Sequence, residues 1–293
     1  MATSTLVSKL EKLKTIRSRQ VLCPVAKLRA IVSPLTVSDD LSLKTMISSP
    51  DLYDRELAIL IYNHTDFPDI KGSKPNFDQF LEAISDFDKK SLLWGIYDAT
   101  YATLGKNTIT CPKCKNKQDT EIFSRDLLHG DSIKSQWDKE ESFLDYFFSV
   151  DIPITGMEEE LTKFEFNIAI PSISKHLEVL KLISVDDMKD NFNKFNSIVS
   201  KTEELCLITK NVAVYGPDLE IPEETISNVF EVHALIQNYV TLDVINDVID
   251  AFDKEFGDYN PVFRKEIKCK SCGHEFDFPV DMEVALFRSF LRL

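Results

Sequence analysis

Apolar residues recur at helical spacing over much of this chain, and short extended stretches interrupt them in a repeated order. Leu6, Leu10, Leu13 and Ile16 fall three or four apart behind Ser4, which predicts a capped helix. From Lys27 to Ile47 (KLRAIVSPLTVSDDLSLKTMI) the pattern is extended, turns at Pro34, and becomes helical behind a Ser38 cap. The same order returns from Lys163 to Ile183 (KFEFNIAIPSISKHLEVLKLI), with Ser174 as the cap, Leu177 matching Leu41 and Ile183 matching Ile47. RELAIL (Arg55 to Leu60) then matches EELCLI (Glu203 to Ile208). LLWGIYDATYATLG (Leu92 to Gly105) matches VINDVIDAFDKEFG (Val244 to Gly257), with Gly105 and Gly257 placed as helix C-caps that need positive φ. Three matches in one order, with the paired cysteine segments described below as a fourth, predict an internal repeat.

These patterns predict a mainly α fold with small β elements: two related helical halves joined by a split zinc-ribbon-like four-cysteine site. The expected layout is a basic N-terminal helix or arm over 1–19, a first repeat over 20–130 ending in a zinc knuckle, a connector over 131–160, and a second repeat over 161–293 with its own knuckle and an apolar C-terminal tail. FLDYFFSV (Phe143 to Val150) is too apolar for a free linker and is expected to pack on a core. The tail, VDMEVALFRSFLRL, reads either as folding back on the adjacent knuckle or as inserting into a partner.

The joining site is read from two matching segments, ITCPKCKNKQDTEI (Ile109 to Ile122) and IKCKSCGHEFDFPV (Ile267 to Val280). Each has an apolar residue two before a Cys-x-x-Cys turn, then polar residues leading into a strand. Cys111 and Cys114 supply half of a tetrahedral thiolate site, and Cys269 and Cys272 the other half, a set that suits structural zinc and leaves no position open for catalysis. The ion could be shared within one chain or between chains. His274 is an alternative ligand, whereas Cys23 and Cys206, in apolar surroundings, read as small buried hydrophobes. Redox and disulfide readings are weaker: neither pair opens a helix after a strand, and the opening residues lack the apolar run of a signal peptide.

Charge narrows the partners. The net charge is −14, which opposes binding to phosphate backbones, although residues 1–30 hold seven Lys/Arg against Glu11 alone. Lys113, Lys115, Lys117, Lys268 and Lys270 surround the knuckles and compensate the thiolates. No apolar run is long enough to cross a bilayer, and the sequence contains no phosphate-cradling glycine loop and no His-Glu-x-x-His motif. His64, His129, His176 and His233 are scattered, with His64 in YNHTDFPD read as a surface loop. A non-enzymatic role is expected.

KLRAIVSPLTVSDDLSLKTMI, the acidic helical stretch after it, and LLWGIYDATYATLGKNTITCPKCKNKQDTEI together resemble the baseplate hub protein family of T-even-type, contractile-tailed bacteriophages. The resemblance covers about residues 20–125 and, more loosely, 161–293. It implies a structural or assembly component of a phage tail baseplate hub, with other tail or baseplate proteins as partners. The implied location is the host cytoplasm during assembly or the baseplate of the virion. Of the family's functional residues, it carries over the knuckle cysteines Cys111 and Cys114. The alternative is a zinc-ribbon nucleic-acid-binding or transcription-associated factor.

Overall fold

The computed structural model describes residues 17–46, 50–101, 103–127, 145–154, 161, 163–183, 200–216 and 222–291. The first part contains β1 (Arg19–Cys23), β2 (Leu28–Val32), α1 (Val37–Met46), α2 (Pro50–His64), β3 (Thr65–Asp66), α3 (Phe77–Ala83) and α4 (Asp86–Tyr101). There follow β4 (Thr103–Thr110), β5 (Lys117–Phe123), β6 (Phe148–Pro153), β7 (Lys163–Ile168), α5 (Ile173–Val179), α6 (Lys201–Ile208), β8 (Thr209–Tyr215) and β9 (Glu224–Ile226). The last part holds α7 (Val229–Tyr239), α8 (Leu242–Phe256), β10 (Arg264–Lys268), β11 (Glu275–Pro279) and α9 (Met282–Leu291).

The fold is mixed α/β, with four antiparallel sheets among the described residues, and this corrects the expectation of a mainly α chain. The strands of the two cysteine hairpins are short and half-exposed, and few of their residues are apolar. In β10 (RKEIK) only Ile267 is buried, and in β5 (KQDTEIF) only Gln118 and Ile122. Two apolar residues in seven carry little weight beside the long periodicity of a helix such as α8.

Contacts divide the chain into two units. The first comprises Met1–Pro75, Phe87–Glu140 and Asn260–Leu293; the second comprises Asn76–Asp86 and Glu141–Tyr259. Both cysteine knuckles fall in the first unit, so the four-cysteine site closes within it and does not join two halves.

In the first unit the sheet β1-β2-β3 carries the buried Val21, Cys23, Ala30 and Val32. Helix α4 lies close against it at Gly95, where a Cβ would overlap the side chains of Val21 and Val32. Leu57, Ile61, Leu92, Leu93, Ile96 and Tyr97 complete this core. Asp88, fully buried, accepts backbone hydrogen bonds from Val25 (3.1 Å) and Ala26 (3.0 Å), which fixes the β1–β2 turn. Helix α9 buries Met282, Ala285 and Leu286, and its Glu283 meets Lys89 (3.5 Å) and Tyr53 (3.4 Å).

In the second unit the sheet runs β6-β7-β8-β9, so part of the expected connector is an edge strand. Helix α8 turns Ile245, Val248, Ile249, Phe252 and Phe256 inward at three-and-four spacing. Tyr146 and Phe148 pack on Phe256 at ring distances of 5.8 Å. Helix α3 enters through backbone bonds from Asp86 to Pro171 (3.0 Å) and from Ile173 to Ile84 (2.9 Å).

Each unit contains a strand–helix–helix–strand module with matching backbone bonds. In the first, Ser33 N–H donates to the His64 carbonyl; in the second, Ala169 N–H donates to the Ile208 carbonyl, both at 2.9 Å. Thr65 and Thr209 follow, each fully buried, each donating its hydroxyl to the carbonyl four residues back (Ile61, Leu205) at 2.7 Å. These bonds pair Ile61 with Leu205, one helical turn out of register with the RELAIL–EELCLI match. The helix caps are Thr36 and Ser172, two residues before the expected Ser38 and Ser174. Gly105 does have positive φ (75°), but within the β4 bulge, and Gly257 is helical at φ −56°, so neither is a left-handed C-cap.

Candidate metal centre

Two hairpins build the site. β4 pairs with β5 so that Thr110 faces Lys117, and β10 pairs with β11 so that Lys268 faces Glu275. Ile109 and Ile267 are buried two residues before the first cysteine and anchor each hairpin in the core. The turns are equivalent bond for bond. Cys111 N–H donates to the Asn116 carbonyl (2.9 Å) and Lys115 N–H to the Cys111 carbonyl (3.0 Å). Cys269 N–H donates to the His274 carbonyl (2.8 Å) and Gly273 N–H to the Cys269 carbonyl (2.9 Å). The turn requires a left-handed residue at one place, filled by Gly273 (φ 70°) in one hairpin and by Lys115 (φ 59°) in the other.

The four cysteine sulfurs lie within 4.8 Å of one another. Cys111 Sγ is 3.8 Å from Cys272 Sγ, and Cys114 Sγ is 3.6 Å from Cys269 Sγ, so the first cysteine of each turn meets the second of the other. Those separations are far longer than a disulfide bond, which is about 2.05 Å. They match a tetrahedral edge: metal–sulfur bonds of about 2.3 Å, the zinc–thiolate value, put sulfurs about 3.8 Å apart. In both turns the first cysteine is buried and the second exposed. A thiol set this close cannot ionise fully without a cation. Hydrogen bonds from the Cys272 and Ser271 backbone hold the Cys269 thiol down at about 6. Cys272 is pushed up to about 12: the His274 backbone N–H pulls it down, but Cys114, burial, Cys269 and Cys111 outweigh it. The donors are soft, four in number and tetrahedrally spaced, so the residues present fit a bound metal ion.

Gln118, which nothing in the sequence pattern marked, ties the hairpins together. It accepts from Lys270 N–H (2.8 Å) and donates to the Lys268 carbonyl (3.2 Å), bracketing Cys269. Its one sequence signal is a polar residue on the inward face of a strand. Lys265 meets Asp126 (2.9 Å), and Arg264 N–H donates to the Leu127 carbonyl (3.1 Å). The five expected lysines, Lys113, Lys115, Lys117, Lys268 and Lys270, are all exposed, and Lys268 pairs with Glu275 at 2.9 Å.

Other candidate residues lie elsewhere. Cys23 and Cys206 are fully buried and outside the cluster. Burial, and Asp88 beside it, pushes the Cys23 thiol up; burial pushes Cys206 up to about 11. His274 stacks on Phe276 and is not among the clustered donors. His64 is no surface loop residue. It is buried at the end of α2, with Nδ1 3.1 Å from Ser33 Oγ and Nε2 3.0 Å from Asp39 Oδ2. Its sequence neighbours Asp69 and Asp66 instead meet Arg29 and Lys74. His176 meets Asp86 (2.5 Å), His233 meets Glu203 (3.7 Å), and His129 lies outside the described residues, as do residues 1–16 of the expected basic arm. No described helix is long and apolar enough to cross a membrane.

No protein-family model matches this chain, and neither does any curated protein or solved structure.

Proposed function

We propose that this protein is a structural or assembly component of a phage tail baseplate hub, and that Cys111, Cys114, Cys269 and Cys272 hold a structural zinc ion. The observation that carries the zinc assignment is the sulfur spacing of 3.6 and 3.8 Å between two hairpins far apart in sequence. Zinc takes four thiolates tetrahedrally without redox chemistry, and four ligands leave no place for water or substrate. The ion therefore acts as a clasp that fastens the end of the chain into the first unit. The hub assignment is supported by the resemblance of residues 20–125 to the baseplate hub family of T-even-type phages.

A nucleic-acid-binding zinc ribbon is the second reading, favoured by the exposed lysines at the knuckles. Against it, the groove between β5 and β10 also presents Asp119, Glu121 and Glu266. Co-expression with the hub proteins of the same phage, followed by size-exclusion chromatography, separates the two. A stable complex that persists in high salt is expected. Elution alone, with salt-sensitive DNA or RNA retention, would replace the hub reading with the ribbon one.

A further inference from the structure

The charge of the chain is divided between its units. The second unit holds 8 Lys/Arg against 27 Asp/Glu, a formal charge of −19, and the first holds 26 against 21, a charge of +5. Within the acidic unit, a cleft of about 570 Å³ lies between α7 and the edge of the sheet. Phe164, Val214, Ile226 and Leu235 give it an apolar floor, while Glu223, Glu224 and Glu231 stand on its rim. All three glutamates are exposed, and among the described residues no Lys or Arg lines the cleft. Tyr239, 58% exposed, packs at its end with its ring tilted against that of Phe164, centroids 6.0 Å apart.

We propose that this cleft docks a basic amphipathic helix of a partner protein. Glu231, Ala234, Leu235 and Asn238 of α7 line it at three-and-four spacing, so the groove follows one helix face for two turns. A second helix laid along that face would place two turns of its own apolar stripe on the floor. The acidic rim selects the charge: Lys or Arg beside the stripe meets Glu223, Glu224 or Glu231, whereas an acidic helix is repelled by them and by the whole unit.

Fluorescence anisotropy with the full-length, zinc-loaded chain tests this. The probe is a labelled peptide of about 16 residues with Leu at i, i+3, i+4 and i+7 and Lys on the other face. Saturable binding that weakens with added salt is expected, with no binding by the same peptide carrying Glu for Lys. Combining Glu223→Lys, Glu224→Lys and Glu231→Lys should weaken binding about tenfold or more. Ala234→Arg, at an exposed position, should block the floor by a similar factor while leaving the acidic rim in place. Unchanged circular dichroism and melting of both variants would show that each is folded. Absence of binding by the parent chain overturns the proposal. So does equal affinity of the Ala234→Arg chain, which would mean diffuse attraction to an acidic surface. A dimer dissociated by Ala234→Arg would assign the cleft to a second copy and overturn the partner helix.

Discussion

In the first module the space between strand and helices is filled by a polar chain, Ser33–His64–Asp39. The hydrogen-bonded frame places Ala169, Ile208 and Lys175 at the same three positions of the second module. There they line an open cavity of about 670 Å³ instead. Burial lowers the Lys175 ammonium, and Lys175 takes the place after the cap where Asp39 closes a capping box. The frame around these positions does not diverge. Thr36 and Ser172 cap the first helix of each module, Thr65 and Thr209 close the last, and the strand-to-helix bond is the same. Positions that satisfy buried backbone groups are costly to vary, because an unmet donor or acceptor costs about 1–3 kcal/mol. Positions that only fill space can change chemistry. The larger contrast is the four-cysteine cluster: the first unit holds it, and among the described residues the second holds no such cluster.

Removing the clasp should therefore break the symmetry between the units. Replacing Cys111 and Cys269 with Ser should abolish metal binding, which for structural zinc is worth on the order of 10 kcal/mol. Trp94 lies in α4 of the first unit, so with Trp137 replaced by Phe in every chain compared, tryptophan fluorescence reports the unfolding of that unit. Its transition should collapse to low temperature while circular dichroism retains a transition from the second unit. Equal shifts in both signals would erase the distinction. A smaller loss is expected for Gly95→Ala. Its Cβ would overlap Val21 and Val32, costing about 2 kcal/mol in urea unfolding followed by the same fluorescence.

The shared frame makes a matched prediction. Thr65→Val and Thr209→Val keep shape but remove the buried hydroxyl, so each should cost about 1 kcal/mol, read as the change in urea midpoint of its own unit. A loss in one and none in the other would mean that the two threonines are not equivalent. An effect of the same size concerns the knuckles. Lys115→Gly relieves a left-handed lysine and should gain about 1 kcal/mol, whereas Gly273→Ala should lose about as much. Competition with a zinc-binding dye would show both as opposite shifts in metal affinity.

The clustering of the cysteines was legible because its signal is local: two Cys-x-x-Cys turns, each behind a buried isoleucine, mark the four residues that come together. Gln118 was not, since a glutamine on the face shared with Ile122 in KQDTEIF shows no partner until the second hairpin is placed beside it. The repeated order of segments was visible, but apolar periodicity repeats every turn. A helix can therefore slide by four residues and keep its pattern, as the RELAIL–EELCLI match did. Strand content was under-read because alternation over five to seven residues, several of them charged, leaves little apolar signal. Unit membership was illegible for a further reason. Residues 76–86 and 260–293 pack away from their sequence neighbours, and nothing in their composition marks the exchange.

Native mass spectrometry of the purified chain, before and after a strong chelator, tests the clasp most directly. The account predicts one zinc ion on each single chain, lost to the chelator together with the tryptophan-detected transition of the first unit. A folded single chain that carries no metal, or zinc found only in dimers, would contradict it.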